Sequence, residues 1–265
     1  MKSEIVVLKL GGSVVNNKFS KVSDVEDLLR KPRDFIRYDD IDKFAYQISQ
    51  AIDYSSRRNK KLEIWCCHGT GLYGHFAVEK FGVTEKVREF TNFLNREIKK
   101  SFEKYGIKVE SIDPAKTVFP TKNGFNIDKL IEEGKRQLTK GIIPLSYGTV
   151  VGTDELKIFS ADDFVEYVAI KLQADRALMF MDVKLSTKNP NFYTDAIPLK
   201  ELTSLRQLKI SINPMDKSGG LLAKLKKLQK VRQSGETVCR IVNAMEDDNV
   251  YKATIGRKVH SEILL

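Results

Sequence analysis

Cysteine and long apolar runs are scarce in this chain of 265 residues. No apolar stretch reaches the roughly 18 to 20 residues that cross a bilayer, and the N-terminus enters a predicted strand without a basic and apolar leader. The three cysteines are Cys66, Cys67 and Cys239, and their spacing fits neither a disulfide framework nor a zinc site. We therefore expect a cytoplasmic protein with no membrane partner and no metal held by protein ligands alone.

Acidic residues are fewer than basic ones. Lys and Arg number 45 and Asp and Glu number 35, which gives a formal net charge of +10. Such an excess attracts nucleic acid, acidic membrane surfaces or small anionic molecules. The basic residues are spread along the chain, and no motif of a nucleic-acid-binding fold accompanies them. We expect no nucleic-acid partner and favour a small anionic substrate.

The apolar pattern is that of an α/β protein. Strand-like runs alternate with stretches of helical periodicity, which predicts a three-layer α/β/α sandwich around a central, mostly parallel sheet. A loop-like stretch at residues 187–198 separates two predicted lobes. The predicted strands are residues 5–8, 62–67, 108–112, 142–146, 177–181 and 238–242, and the predicted helices are residues 41–54, 87–102, 127–138, 162–172 and 221–231.

Two glycine-rich turns each follow a strand-like run. The first is Lys9-Leu10-Gly11-Gly12-Ser13, and the second runs from His68 to His75 with glycine at positions 69, 71 and 74. Glycine lets backbone N–H groups approach an anion closely, and a following helix adds its positive N-terminal end. Two such turns predict a site for two phosphorylated molecules and hence phosphoryl transfer. The alternative is a pair of tight turns that bind no ligand.

Together with two later segments, these turns resemble the amino-acid kinase superfamily and, within it, the isopentenyl phosphate kinases. The later segments are Pro144-Leu145-Ser146-Tyr147-Gly148, followed by residues 159–163, and Asp216-Lys217-Ser218-Gly219-Gly220 with Lys224 beyond it. The Gly74-His75 pair is similar to the one that isopentenyl phosphate kinases share with fosfomycin kinases. The resemblance covers nearly the whole chain.

The resemblance implies an ATP-dependent kinase that adds a phosphate to a monophosphate, most closely isopentenyl phosphate, with Mg²⁺ carried by the nucleotide. It implies one amino-acid kinase domain over residues 1–265. Within it, residues 1–175 form an acceptor-binding lobe and residues 176–265 a nucleotide-binding lobe. Relatives of this kind commonly form homodimers, so we expect a homodimer.

Three departures from the family pattern leave other functions open. Ala161 stands where the family has glycine, Leu72 replaces a serine, and residues 181–186 lack the usual Asp-Gly pair. One alternative is a kinase for another phosphate or for a phosphonate such as fosfomycin. The other is a non-catalytic ligand-binding or regulatory protein that keeps the fold.

The resemblance also assigns roles to single residues. Transfer between two phosphates requires that both be held in line while their charge is neutralised, a task suited to lysine. Taken singly, each lysine could be a surface charge, His75 a packed or capping residue, and Asp162 a helix N-cap. The assigned catalytic residues are Lys9, Lys18, His75 and Lys224; the nucleotide-binding residues are Lys9, Gly11, Gly12, Ser13, Gly71, Asp182, Gly219, Gly220 and Lys224; and the substrate-binding residues are Gly69, Thr70, Gly71, His75, Gly148, Ala161 and Asp162.

Overall fold

Apolar strands and amphipathic helices alternate along the chain in a computed structural model that describes residues 3–17, 22–182, 220–259 and 262–264. The strands are β1 (Ser3–Leu10), β2 (Lys61–His68), β3 (Val109–Ser111), β4 (Phe119–Thr121), β5 (Gly124–Asn126), β6 (Ile143–Tyr147), β7 (Thr149–Val151), β8 (Lys157–Phe159), β9 (Arg176–Met181), β10 (Val238–Asn243) and β11 (Glu262–Leu264). The helices are α1 (Gly12–Val15), α2 (Asp27–Arg30), α3 (Pro32–Phe35), α4 (Tyr38–Ser56), α5 (Gly71–Phe81), α6 (Lys86–Lys104), α7 (Pro114–Thr117), α8 (Asp128–Thr139), α9 (Ala161–Leu172), α10 (Gly220–Ser234) and α11 (Asn249–Thr254).

One sheet organises the fold. Its seven strands lie in the order β11-β10-β9-β1-β2-β6-β3. All neighbouring strands are parallel except the antiparallel pair β10 and β11. The chain continues from β1 to β2 on one side and later returns to place β9 on the other side of β1. Such a switch of direction opens a crevice at the carboxyl ends of the strands, where α/β proteins bind ligands.

Helices cover both faces of the sheet. Val6, Leu8 and Leu10 of β1 point to one face, where they join a core with helices α4, α5, α6 and α11. The intervening Val7 points to the other face and joins a second core with α8, α9 and α10. This alternation follows from the two-residue period of a strand. The predicted α/β sandwich with a mostly parallel sheet is confirmed.

The long predicted elements recur within a few residues of their predicted ends. The sequence analysis missed α5, α11, β11, the two hairpins β4–β5 and β7–β8, and the four-residue helices α1, α2, α3 and α7. The predicted lobe boundary falls between α9 and β9, and strands from both sides of it join the same sheet. The predicted loop at residues 187–198 lies outside the described residues. Within the described ranges, no helix combines the length and apolarity needed to cross a membrane.

His68 closes β2 and is fully buried between the sheet and α6. Its Nε2 lies 3.2 Å from Oδ1 of Asn95, and its ring stacks on Tyr147 with centroids 5.7 Å apart. Burial lowers the pKa of His68 to about 4, although its hydrogen bonds to Gly69 and Asn95 act in the opposite direction. The imidazole is therefore neutral in the folded protein at neutral pH, as a structural residue would be.

Gly134 of α8 packs directly against the ring of Trp65 in β2, so a Cβ atom at position 134 would overlap the ring. We expect Gly134→Ala to lower the free energy of unfolding by about 1 to 3 kcal/mol through overpacking, even though alanine favours a helix. Urea denaturation measures this change. The control is Gly235→Ala, because a Cβ there meets nothing within 4 Å. Equal stability of the two variants would contradict the packing.

His68 also predicts a pH dependence of stability. Its folded pKa of about 4 lies below the ordinary value of 6.5, so the unfolded chain binds a proton that the folded protein rejects. Stability is complete above the ordinary pKa and falls as the pH drops, by about 2 kcal/mol between pH 7 and pH 5. Urea denaturation at the two pH values should show this loss, and His68→Gln should remove it. An undiminished loss in the variant would assign the effect to other groups.

Candidate active site

The predicted site residues that the structure describes gather where parallel strands end. Gly11 follows β1, Gly69 follows β2, Gly148 follows β6 and Asp182 follows β9. Since these four strands are neighbours in the order β9-β1-β2-β6, their carboxyl ends meet at one edge of the sheet. This is the edge at which the strand order predicts a ligand crevice.

The two glycine turns touch each other through their backbones. A Cβ on Gly12 would lie 2.7 Å from the backbone nitrogen of Gly71, and a Cβ on Gly69 would lie 2.6 Å from that of Gly12. Gly71 has φ of +47°, a conformation that other residues rarely adopt. The contact between turns therefore requires glycine at these positions. Their predicted contacts with phosphate stay a prediction.

Asp162 lies at the centre of the site and binds two lysines. Its Oδ1 accepts a hydrogen bond from Nζ of Lys9, and its Oδ2 lies 3.3 Å from Nζ of Lys224. Lys9 comes from β1, Asp162 from α9 and Lys224 from α10. The three residues are 5%, 2% and 4% exposed. Lysine is rarely buried without a partner, so these two are not the surface charges that each lysine could have been.

The electrostatics of this cluster keep the carboxylate ionised. Burial opposes the ionisation of Asp162, but attraction to Lys9 and Lys224 and their hydrogen bonds outweigh it, so the pKa of Asp162 lies below its usual value. One ionised carboxylate thus holds two lysine side chains, from β1 and from α10, at the same point of the sheet edge.

Helix α9 is capped by Ser160 and not by Asp162. The Ser160 hydroxyl accepts a hydrogen bond from the backbone N–H of Asp163 (3.0 Å), and the Asp163 carboxylate accepts one from the backbone N–H of Ser160 (2.8 Å). This capping box satisfies the first turn of α9. The interpretation of Asp162 as an N-cap is therefore wrong, because its carboxylate turns toward the lysines.

A second set of ion pairs holds α10 against α9. Lys227 donates to Asp163, and Glu166 lies 3.3 Å from Lys227 and 2.9 Å from Lys230. Partial burial lowers the pKa of Lys227, but the hydrogen bonds and charges of Asp163 and Glu166 outweigh it, so the pKa lies above its usual value. Lys224 lies on the same helix, and its Nζ also donates to the carbonyl of Gly220, 3.4 Å away. These pairs fix the helix that delivers Lys224 to the site.

The residues predicted to bind the acceptor line the start of two helices. His75 lies one turn into α5 and is partly buried, and Thr70 precedes that helix. Ala161 is the first residue of α9, and a Cβ on Gly148 would lie 3.3 Å from its backbone nitrogen. The structure thus brings both N-terminal helix ends to the edge that holds Asp162.

On the side of β9, Asp182 contacts the first glycine turn. Its backbone N–H donates to Oγ of Ser13 (3.2 Å), and its carboxylate accepts a hydrogen bond from Arg37 (2.8 Å). Arg37 also donates to the carbonyl of Ser13 (3.1 Å) and pairs with Asp40 (2.5 Å). The sequence analysis missed Arg37, whose partner Asp182 is 145 positions away. Only its Asp40 partner, three residues on, is visible as a local signal.

Asn16 is a second residue that the sequence analysis missed. Its side chain is buried, and its Oδ1 accepts a hydrogen bond from the backbone N–H of Leu72, 3.0 Å away. Its Nδ2 lies 3.5 Å from the carbonyl of Phe35. Asn16 therefore fastens the second glycine turn to the segment that follows the first. The residues next to Asn16 in the sequence do not indicate this contact.

Part of the predicted site lies outside the described residues, namely Lys18, Gly219 and residues 183–186. Gly220, with φ of +65°, begins α10. In the described ranges there is no group of three His, Cys, Asp or Glu side chains that could hold a metal ion. A nucleotide-bound Mg²⁺ keeps most of its contacts to phosphates and water, so its delivery with the nucleotide stays a prediction.

Several known proteins are similar to this chain in sequence and in fold. The profile of the amino acid kinase family matches residues 4–243. Isopentenyl phosphate kinase from Methanocaldococcus jannaschii is 27% identical, with 98% of each chain covered. The enzyme of that name from Methanothermobacter thermautotrophicus is 23% identical, with 96% of this chain and 97% of the relative covered.

Among solved structures, an isopentenyl phosphate kinase superposes with a TM-score of 0.68 at 20% identity. The superposition covers 97% of this chain and 98% of the other, which shows a shared fold. The family profile spans most of the chain, including both glycine turns, Asp162 and Lys224. This chain belongs to the amino acid kinase family.

Proposed function

We propose that this protein is an ATP-dependent kinase that converts isopentenyl phosphate to isopentenyl diphosphate. The observation that carries the proposal is the buried cluster of Lys9, Asp162 and Lys224, beside the two glycine turns. The near full-length similarity to proteins named isopentenyl phosphate kinase supports the acceptor. In the reaction, an oxygen of the acceptor phosphate attacks the γ-phosphorus of ATP, the bond from γ-phosphorus to the bridging oxygen breaks, and ADP leaves.

The two lysines neutralise charge during this transfer. Lys9, at the end of β1, bridges the donor and acceptor phosphates, and Lys224 contacts the β- and γ-phosphates of the nucleotide. Their burial strengthens each interaction, because few waters screen it. Asp162 is a positioning residue in this scheme. It holds both ammonium groups together before the substrates bind.

The acceptor phosphate binds at the second glycine turn. Thr70 and Gly71 offer backbone N–H groups at the start of α5, whereas the N–H of Gly69 donates to the carbonyl of Leu10 (2.8 Å) and so holds the turn against β1. His75, one turn into the same helix, donates a hydrogen bond to a phosphate oxygen. A positive helix N-terminus suits a phosphate. Gly148 and Ala161 close this side of the site at the start of α9.

The nucleotide binds on the other side of the cluster. Gly11, Gly12 and Ser13 face its phosphates, together with Gly220 at the start of α10, and Asp182 lies where β9 ends. Arg37 positions Asp182 against Ser13 and so couples this strand end to the first turn. When bound, Mg²⁺ shields the β- and γ-phosphates, and the nucleotide supplies most of its ligands.

The proposal also covers Lys18, Gly219 and the oligomeric state of the protein. We assign Lys18 to the transferring phosphoryl group and Gly219 to the nucleotide phosphates. We further propose a homodimer that works in the cytoplasm. The three cysteines are free and buried, which suits a reducing compartment. Sedimentation at several protein concentrations tests the dimer.

A coupled assay for ADP release tests the function. The purified protein is given magnesium-ATP with isopentenyl phosphate, dimethylallyl phosphate or fosfomycin. We expect turnover on the isoprenoid phosphates and little on fosfomycin. Turnover on fosfomycin alone would replace the acceptor and keep the kinase. A folded protein that is inactive on all three and fails to bind ATP in calorimetry would contradict the proposal.

His75 predicts a selective loss of acceptor binding. Replacing it with Ala removes one hydrogen bond to a charged phosphate, so the KM for isopentenyl phosphate should rise about tenfold or more, while the KM for ATP changes little. His75→Asn keeps an N–H donor and should restore part of the loss. Lys224→Ala is the matched control, since its main effect should fall on ATP. Equal effects of His75→Ala on both substrates would remove His75 from the acceptor site.

A further inference from the structure

A cavity of 620 Å³ lies at the amino edge of the sheet, opposite the candidate active site. Its walls are the turns that lead from α9 into β9 and from α10 into β10, and Gly256 closes one side. The residues at the strand starts are Arg176, Val238 and Arg240. A cavity of this volume is large enough for a small metabolite.

Two arginines form the charged part of the lining. Arg176 and Arg240 are 9% and 8% exposed. Arg176 pairs with Val238 in the register of β9 and β10, and Arg240 lies two residues further on, so both side chains leave the same face of the sheet. Arg176 donates through Nη2 to Glu4 (2.7 Å), and Arg240 donates through Nη1 to the carbonyl of Arg257 (2.7 Å). The cavity therefore carries two buried positive charges.

The Arg176 guanidinium has a donor to spare. Its Nε is buried and has no hydrogen-bond partner in the part of the chain that the structure describes. A buried N–H group that lacks an acceptor destabilises the folded protein, and more so when the group is charged. Gly256, with φ of +81°, lies beside Nη1 of Arg176. A Cβ atom at position 256 would lie only 3.2 Å from that nitrogen, so glycine keeps the space open. An acceptor from a bound molecule would satisfy the free donor.

The acidic residues of the cavity stand at its rim. Asp175 and Glu236 are exposed, and Asp175 accepts a hydrogen bond from the backbone N–H of Ile5 (2.7 Å). Glu4, the half-buried partner of Arg176, also pairs with Lys60 (3.2 Å). The two acidic residues that line the cavity thus lie toward solvent, and the two arginines are the charged lining residues that are buried.

We propose that this cavity binds a small molecule through an oxyanion group, a phosphate or a carboxylate, held by Arg176 and Arg240. Arginine matches both groups because its planar fork donates two parallel hydrogen bonds. The site is separate from the kinase site, so it stands whether or not the proposed reaction is correct.

Hydrogen exchange of the full-length protein tests the proposal, with inorganic pyrophosphate and citrate as probes. Binding in the cavity should slow exchange in residues 173–176 and 234–240 in a saturable way. A response to pyrophosphate alone identifies a phosphate ligand, and a response to citrate alone identifies a carboxylate. Slowing confined to residues 9–13 and 69–75 would place the probe in the kinase site only and overturn the proposal, as would no change with either probe.

Two variants sharpen the test. Arg176→Lys keeps the positive charge beside Glu4 but removes the planar guanidinium with its parallel donors. The affinity for the probe that binds should fall about tenfold. Glu236→Lys adds a positive charge at the exposed rim, where folding is not at risk, and should tighten binding about two- to fivefold. Glu132→Lys is the matched control on exposed α8. If Glu236→Lys behaves like Glu132→Lys, the cavity does not hold the anion.

Discussion

The structure depends most on one buried ionic contact, the carboxylate of Asp162 between Lys9 and Lys224. It joins the central strand β1 to α9 and α10, which lie far apart in the sequence. Removing one partner from a buried ion pair typically costs about 3 to 5 kcal/mol, because the remaining charge is left without compensation. This ion cluster lies at the edge of the sheet where we propose that the two phosphates meet. The transfer between them needs the positive charges of both lysines.

The contact between the glycine turns complements this cluster. Gly12, Gly69 and Gly71 approach so closely that no side chain fits between them. Asn16 then fastens the second turn from the side, and Arg37 fastens the end of β9 to the first. The turns are therefore fixed relative to each other before any ligand binds. Such preorganisation is the main contribution a protein makes to phosphoryl transfer.

The sequence predicted the layers of the fold better than its small elements. Long amphipathic helices such as α4 and α6 and apolar strands such as β1 and β2 can be recognised from the spacing of their apolar residues. Helix α5 cannot, because Gly71 and Gly74 disfavour a helix and its apolar residues do not form one stripe. The glycine turns follow β1 and β2 at the carboxyl edge of the sheet. The family resemblance pointed to Asp162 and Lys224, which the structure places in contact with Lys9 or with each other. The sequence analysis missed Arg37 and Asn16 because the residues that they contact become their neighbours only after folding.

A double-mutant cycle on Lys9 and Asp162 tests most directly whether Asp162 acts by holding the lysines. The variants are Asp162→Asn, Lys9→Ala and the combination, each checked for folding by circular dichroism and assayed with magnesium-ATP and isopentenyl phosphate. We predict that each single change lowers kcat about a hundredfold or more. The combination should then lose far less than the product of the two losses, because both changes disable one unit. Independent, multiplicative losses, or full activity of Asp162→Asn, would contradict the account.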